Sequence, residues 1–249
     1  MKKLSIITCT YNSAAHLEEC IDSICKQNLP VEIFEHIFID AFSIDETINI
    51  IKRYKKTHPK YNIKIIQKKP MGVYNAMNVW IQSAQWIYCM FINSDDYLES
   101  SILIRYLKFT KKHQGDIYYW NLKIIDKNKK HIVPNNNIFL RKLFFRLWFN
   151  TLVYHPTALI KRNLFDELGF YDETRKIVSD FWFWLLSLKK RKKFIYFPHT
   201  ISNFRVHSWS LSSNNQELQN KELKFFRKQY MGLLWTIIHK MSRLYLLFK

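Results

Sequence analysis

Short apolar runs alternate with amphipathic repeats over residues 1–100. Four of these runs predict strands, namely Leu4 to Thr8, His36 to Ile39, Ile63 to Ile66 and Trp86 to Ile92. Between the runs, apolar residues recur at the three- and four-residue spacing of a helix with one buried face. This alternation is typical of an α/β fold in which helices flank a mostly parallel central sheet.

Local signals indicate where the predicted helices begin. Ser43 and Glu46 have the spacing of a capping box before the second helix, and Ser100 is expected to cap a later one. Gly72 precedes a helix that we predict over Val73 to Ser83. Beyond residue 100 the pattern becomes less regular and more basic, which indicates a change of subdomain within one body.

Composition and charge narrow the class of protein. Hydrophobic residues make up 48% of the 249, which excludes a disordered chain, and the net charge of +19 suits an anionic partner. The same charge could serve solubility alone. The four cysteines lack metal-binding spacing, so we expect buried free thiols in a reducing compartment. Polar residues from Thr8 onward interrupt a signal-like start, so we expect the mature chain to begin at Met1 and stay in the cytoplasm.

Three of the predicted strands lead directly into polar clusters. The clusters are Thr10-Tyr11-Asn12 after the first strand, Asp40 after the second and Asp95-Asp96 after the fourth. In an open parallel sheet, ligands bind beyond the carboxyl ends of the strands, because loops and helix N-termini converge there. A single aspartate at such a place is more simply a helix or turn cap. The coincidence of three clusters favours a common binding site.

The pair Asp95 and Asp96 predicts a metal site. Adjacent carboxylates at the exit of a buried strand repel each other unless a cation neutralises them, and hard oxygen ligands suit Mg²⁺ or Mn²⁺. The glycine-rich loops that cradle phosphate through backbone amides do not follow the first strand. We therefore expect the metal ion to hold a diphosphate.

Four motifs in this order resemble family-2 glycosyltransferases. The motifs are Leu4 to Ser13, Asp40 with Ser43 to Thr47, Gly72 to Asn78, and Phe91 to Asp96. They lie within residues 1–100, and their combination is specific although each alone is weak. The resemblance implies the A-type glycosyltransferase fold and a nucleotide-diphospho-sugar donor, usually a UDP-sugar.

The resemblance also implies roles for residues of the first half. Those expected to bind the nucleotide sugar are Thr10, Tyr11, Asn12, Asp40, Asn75 and Asp95. Thr10, Asn12 and Asp40 would hold the base and ribose, and Asp96 would bind the metal ion, Mn²⁺ or Mg²⁺. Many relatives have aspartate where this chain has Asn75 and an acidic residue where it has Met71, so the donor sugar stays open.

Motifs further along the chain resemble the acceptor side of the family. They are His155-Pro156-Thr157, Leu168 to Glu173 and Ser179-Asp180. The resemblance makes Asp180 the general base for an acceptor hydroxyl, with direct displacement that inverts the anomeric configuration. Alternatively, Asp180 is an ordinary acid in the first turn of a helix. His155 and His207 are candidates for contacts with the acceptor or the diphosphate. The Gln-x-x-Arg-Trp signature of processive synthases is absent, which favours single additions.

Two basic, aromatic-rich segments, 138–149 and 234–248, could contact a membrane. The second has apolar residues on one helical face, but charges interrupt it before it reaches the length of a spanning helix. Either segment could instead pack on the catalytic domain. Because many relatives use lipid-linked acceptors, we expect a peripheral protein on the anionic cytoplasmic face of the inner membrane.

Together these features predict an inverting, metal-dependent hexosyltransferase of surface polysaccharide or lipopolysaccharide synthesis, with a saccharide acceptor that is lipid-linked. We predict a nucleotide-sugar-binding half over 1–100, an acceptor-side half of the same domain over 101–214, and an amphipathic tail over 215–249. One alternative is a non-catalytic nucleotide-sugar-binding or scaffold protein of this fold. A nucleic-acid-binding protein is disfavoured, because the chain has no recognised reader motif.

Overall fold

The strands and helices alternate along the first half of the chain. The computed structural model describes residues 4–69, 71–126, 129–135, 153–206, 215–226 and 228–229. The strands are β1 Leu4–Thr10, β2 Phe34–Asp40, β3 Asn62–Gln67, β4 Tyr88–Phe91, β5 Tyr97–Leu98, β6 Ile117–Asp126, β7 Lys129–Val133, β8 Ala158–Lys161 and β9 Phe194–Val206. The helices are α1 Ala14–Cys25, α2 Thr47–Thr57, α3 Val73–Ser83, α4 Ile102–Lys112, α5 Asn163–Leu168 and α6 Ser179–Lys189. Residues 216–226 are also helical, and short 3-10 turns span Val31–Ile33 and His155–Thr157.

Within the described residues, all the strands belong to one sheet. Its order is β3-β2-β1-β4-β8-β6-β9-β5, with β7 paired to β6. The strands β1 to β4 pair in parallel. The second half is antiparallel at β8 and at the edges, whereas β6 and β9 run parallel. The predicted α/β sheet flanked by helices is confirmed, and its parallel part is concentrated in β1 to β4.

Alternate residues of the central strands enter different cores. On β1, Ile6 packs in a cluster that includes Tyr106 of α4, and Ile7 packs in a cluster that includes Trp80 of α3 and Trp184 of α6. Successive side chains of a strand point to opposite faces, so a central strand is buried on both faces when helices cover both. This burial explains the continuous apolar run of the fourth predicted strand, whereas β1 and β2 also bury polar side chains such as Thr8 and His36.

Two predicted helix caps are wrong. The hydroxyl of Ser43 donates to Asp40, and the carboxylate of Glu46 accepts from Asn49, so no capping box precedes α2. The residue before α4 is Ser101 and not Ser100, and it makes no side-chain cap. Short polar side chains at a turn have several possible partners, and tertiary neighbours decide among them. The fourth strand is also shorter than predicted.

Segments on both sides of residue 100 share the sheet, because β4 pairs with β8 and β5 with β9. The division at residues 100 and 214 stays a prediction. The four cysteines are free, and Cys20 and Cys89 are buried as predicted, whereas Cys9 and Cys25 are only partly buried. Among the described residues, no helix is long and apolar enough to cross a membrane. The basic segments 138–149 and 234–248 lie outside the described residues.

Candidate functional site

Asp40 ends β2 in the protein interior, with no exposed surface. Its carboxylate accepts hydrogen bonds from the Thr10 hydroxyl at 3.2 Å, the Ser43 backbone N–H at 3.0 Å and the Gln67 side-chain amide at 3.2 Å. The Ser43 hydroxyl donates to the same carboxylate. Asp40 therefore ties together the carboxyl ends of β1, β2 and β3.

Asn12 is joined to the same loop through Ser43. The backbone N–H of Asn12 donates to the Ser43 hydroxyl oxygen at 3.0 Å, and its side-chain oxygen accepts from the Ile44 N–H at 3.0 Å. Asn12 has a φ of 48°, the left-handed conformation that asparagine tolerates better than most residues. Its neighbour Tyr11 leaves 62% of its surface exposed. The structure thus brings Thr10, Asn12 and Asp40 together.

A cavity of about 370 Å³ opens where β1 and β2 end and α3 begins. Its lining is largely apolar, and the charged and polar residues in it include Lys68, Lys69 and Asn75. Thr10 and Tyr11 also line it, whereas Asn12, Asp40, Asp95 and Asp96 do not. The volume is in the range of small-molecule sites, and an exposed aromatic ring beside two cations suits a nucleoside phosphate.

Asn75 is linked to the second half of the chain by Glu173. The side-chain amides of Asn75 and Asn78 donate to the two oxygens of Glu173, at 2.6 and 2.9 Å. The bonds from Asn78 and Asn75 lower the pKa of Glu173, and the charge of Lys68 lowers it further. Glu173 therefore stays ionised, and the nitrogen of Asn75 is engaged beside the cavity.

Asp96 is buried, with 1% of its surface exposed. Its carboxylate accepts from the Asn93 side chain at 2.7 Å and from the Arg205 backbone N–H at 2.9 Å. The Arg205 guanidinium donates to the Asp95 carbonyl at 3.1 Å and to Glu19 at 2.6 Å. Burial raises the pKa of Asp96 well above its ordinary value, and the charge of Asp95 raises it further.

The charges of Asp95 and Asp96 fit a divalent cation. Burial is the main cause of the raised pKa of Asp96, and the negative charge of Asp95, which a cation would neutralise, adds to it. Within the described ranges, no group of three or more histidine, cysteine, aspartate or glutamate side chains surrounds a possible metal position. Mg²⁺ nevertheless binds at many sites through one or two carboxylates together with substrate phosphates. A hydrogen bond of 2.8 Å from Ser94 to Ser13 joins this loop to the end of β1.

Asp180 is the second residue of α6 and is partly buried. The Tyr74 hydroxyl lies 3.0 Å from a carboxylate oxygen of Asp180 and 2.6 Å from the carbonyl oxygen of Ile177. Burial raises the pKa of Asp180 to about 6, although the Tyr74 hydrogen bond acts in the opposite direction. A carboxylate with this pKa can accept a proton near neutral pH.

Asp180 lines a second cavity, of about 270 Å³. His155 lines it too, and a ring nitrogen of His155 lies 2.9 Å from the Tyr171 hydroxyl. Burial lowers the pKa of His155 to about 4, so the ring is neutral at pH 7. The remaining lining is mostly apolar and includes Leu223 of the helix over 216–226. The other candidate histidine, His207, lies outside the described residues.

Several residues at the site escaped the sequence analysis. Gln67 and Lys68 follow the third predicted strand, so the rule that selected Asp40 could have selected them. Arg205 and Glu222 gave no comparable signal, because their partners lie far away in the sequence.

The sequence of this chain is similar to the sequences of known proteins. Residues 5–169 match the sequence model described as Glycosyl transferase family 2. The chain is similar to the poly(ribitol-phosphate) beta-glucosyltransferase of Bacillus spizizenii, with 36% identity over 126 residues, which are 50% of this chain. The match covers only 20% of that relative's length.

Two solved structures share the architecture. TarS 1–349 of S. aureus in complex with UDP-GlcNAc has a TM-score of 0.70 at 21% identity, over 91% of this chain and 66% of that chain. The mannosyltransferase PcManGT from Pyrobaculum calidifontis, in complex with GDP-Man and Mn²⁺, has a TM-score of 0.69 at 16% identity, over 94% and 68%. At these identities the likeness shows the fold alone, and it confirms the predicted A-type architecture.

Proposed function

Because the chain belongs to glycosyl transferase family 2, we propose that it transfers a sugar from a nucleotide diphosphate to a saccharide acceptor in surface polysaccharide synthesis. One observation carries this proposal. Tyr74 and Asn75 are consecutive on α3; the first holds Asp180, and the second lines the 370 Å³ cavity. The cavity proposed for the donor and a carboxylate suited to accept a proton are therefore linked through neighbouring residues of one helix.

The donor that we propose is a UDP-sugar in the 370 Å³ cavity. Exposed Tyr11 could stack on the base, and Lys68 and Lys69 could face the phosphates. Thr10 lines this cavity and would contact the base and ribose, whereas Asn12 and Asp40 lie outside its lining and would hold the surrounding loops in place. The UDP-GlcNAc complex of the S. aureus neighbour supports the choice of nucleotide. The identity of the sugar stays open, because this chain has Asn75 where many relatives have aspartate.

Asp95 and Asp96 would hold a Mn²⁺ or Mg²⁺ ion, and the Mn²⁺ complex of PcManGT supports a divalent cation. Such an ion, when bound, neutralises the diphosphate leaving group. Asp96 already accepts two hydrogen bonds, so Asp95, whose side chain is less buried, is the better placed of the two to meet it.

In the proposed reaction, Asp180 accepts the proton of an acceptor hydroxyl. The hydroxyl oxygen forms a bond to the anomeric carbon while the bond from that carbon to the donor diphosphate breaks, and the configuration inverts. Tyr74 orients Asp180 through its hydroxyl. Neutral His155, in the same cavity, could donate or accept a hydrogen bond with the acceptor.

The acceptor that we propose carries phosphate, in keeping with the net charge of +19. A lipid-linked saccharide at the cytoplasmic face of the inner membrane fits this charge. The polymer in the name of the B. spizizenii relative, poly(ribitol phosphate), has the same chemistry. Peripheral attachment to anionic lipid remains part of this proposal.

Transfer assays test the proposal directly. The purified protein is incubated with a panel of UDP-sugars and phosphate-bearing acceptors, with Mn²⁺ or with a chelator, and UDP release and product are measured. We expect Mn²⁺-dependent transfer whose kcat/KM rises with pH through about 6, since Asp180 must be deprotonated. Donor binding without hydrolysis or transfer would favour the non-catalytic alternative.

Asp180→Asn provides the sharper test of the base. It should keep donor affinity and lower kcat by about 100-fold or more, because the amide cannot accept the proton. Exposed Asp126, at the end of β6, supplies a matched control, and Asp126→Asn should behave as the unaltered protein does. Normal turnover by Asp180→Asn would contradict the assignment.

A further inference from the structure

Glu222 is a buried carboxylate in the helix over 216–226, with 6% of its surface exposed. It accepts three hydrogen bonds from consecutive backbone N–H groups. Lys176 donates to one carboxylate oxygen at 3.0 Å, and Ile177 and Val178 donate to the other at 3.1 and 3.3 Å. A buried carboxylate is stable only when such bonds replace its lost hydration.

The loop that Glu222 binds leads directly into the proposed catalytic base. Val178 is the residue before α6, and Asp180 follows two positions later. Tyr74 also holds this loop, through the Ile177 carbonyl and Asp180 itself. The position of the base therefore depends on two anchors, one on α3 and one on the helix over 216–226.

The same helix also contributes to the cavity that contains Asp180. Gln219 and Leu223 are four residues apart, so they share one face of the helix, and both line the 270 Å³ cavity. Further along, Phe226 is buried and stacks on Trp182 of α6, with ring centroids 4.8 Å apart. The helix thus packs against both the loop and the helix that carry Asp180.

We propose that the helix over 216–226 forms a wall of the 270 Å³ cavity, where the acceptor would bind, and that Glu222 on this helix is a positioning residue for Asp180. This inference rests on the proposed function, because it assumes that Asp180 is the base. Glu222 lies beyond residues 5–169, which match the family. It acts through the backbone of residues 176–178.

Several titratable groups lie near Asp180, and of these Tyr74 lowers its pKa through a hydrogen bond. They are Tyr74 on α3, Tyr171, Tyr154 and His155 near the cavity, and Glu222 on the helix. His155 is neutral at pH 7, and both Tyr74 and Tyr171 have pKa values raised by burial, so none of the three adds charge there. Burial is then the dominant influence on Asp180, and any change that admits water should lower its pKa.

Glu222→Gln tests the positioning role with little change of shape. The amide nitrogen cannot accept a hydrogen bond, so at least one loop N–H loses its partner. We expect kcat to fall about tenfold, the donor KM to stay within about twofold, and the acidic midpoint of the pH profile to move from about 6 to lower pH. Glu217→Gln is the matched control, since Glu217 is exposed on the same helix.

Circular dichroism and UDP-sugar binding by calorimetry establish that the variant is folded at the assay temperature. If it is not, Tyr74→Phe removes the other anchor of the loop and should also lower kcat, while the midpoint should move above 6 because the Tyr74 hydrogen bond that lowers the pKa of Asp180 is lost. Unchanged kcat in this variant would then overturn the inference. A folded Glu222→Gln protein with unchanged kcat and unchanged midpoint would overturn the inference alone. Absence of transfer in the unaltered protein would instead overturn the proposed function and this inference with it.

Discussion

Asp40→Asn should destabilise the protein even when no nucleotide is bound. The carboxylate is fully buried, and its two oxygens divide four hydrogen bonds. One oxygen accepts from the hydroxyls of Thr10 and Ser43, and the other accepts from the Ser43 N–H and the Gln67 amide. In the variant, the side-chain nitrogen of the asparagine should face the hydroxyls of Thr10 and Ser43, because a hydroxyl can accept a hydrogen bond as well as donate one.

The expected magnitude follows from the bonds that remain. A hydrogen bond to a charged group contributes about 1.5–3 kcal/mol, and one between neutral groups about 0.5–1.5 kcal/mol. The bonds from the Ser43 N–H and Gln67 therefore lose about 1 kcal/mol each. The Thr10 hydroxyl can still donate to the Ile39 carbonyl, at 3.2 Å, so it adds little to the loss of stability. We expect the free energy of unfolding to fall by about 2 kcal/mol.

Urea unfolding, followed by the fluorescence of the eight tryptophans, measures this change. With an m-value of about 2 kcal/mol/M, the midpoint should fall by about 1 M. Asp22→Asn, at an exposed position of α1, should change the free energy of unfolding by less than about 0.5 kcal/mol. An unchanged midpoint for Asp40→Asn together with lost UDP binding would refute this reasoning and would indicate that Asp40 contacts the nucleotide directly.

Two further predictions concern pH and the donor cavity. Burial lowers the pKa of His155 to about 4, below the ordinary value of 6.5, so the unfolded chain binds the proton first as pH falls. The contribution of His155 to the free energy of unfolding is complete above pH 6.5 and is lost as the pH falls towards 4. The urea midpoint should therefore fall between pH 6.5 and pH 4. In His155→Gln, the midpoint should fall less steeply over the same range. Asn75→Asp places a second carboxylate beside Glu173. In the unaltered protein, a carboxylate oxygen of Glu173 lies 2.6 Å from the Asn75 side-chain nitrogen. Donor affinity of this variant, measured by calorimetry, should drop about tenfold, because the two carboxylates repel each other. The affinity should recover when Glu173→Gln is added. A double variant that binds the donor as weakly as Asn75→Asp would contradict this explanation.

The sequence predicted where Thr10, Asp40 and Asp95 lie in the fold but not which protein groups they bind. Parallel strands end at one edge of a sheet, so Thr10, Asp40 and Asp95 could be assigned to a common edge from strand order alone. The partner of Ser43 could not be predicted. A helix cap and a buried carboxylate are both good acceptors for its hydroxyl, and their energies differ too little for sequence to decide.

The second half was harder to predict for a different reason. Its strands pair with segments far away in the sequence, and the short strands β5 and β8 give too few residues for a periodic pattern. Glu222 resembles any acid on an amphipathic helix, because its partners are backbone groups and leave no mark on the sequence. The resemblance of the Ser179-Asp180 motif was the signal for Asp180, and its role on the acceptor side stays a proposal.

The contacts that cross the chain explain why distant motifs are needed together. Glu173 binds Asn75 across 98 residues, and the Arg205 N–H binds Asp96 across 109. Asp96 is buried, so loss of its bond costs about 1–3 kcal/mol, whereas Glu173 is exposed and loss of its bond costs less because water screens the charge. Motifs from the first 100 residues are therefore held in place by partners from later segments of the chain, and neither can shift without breaking such a bond.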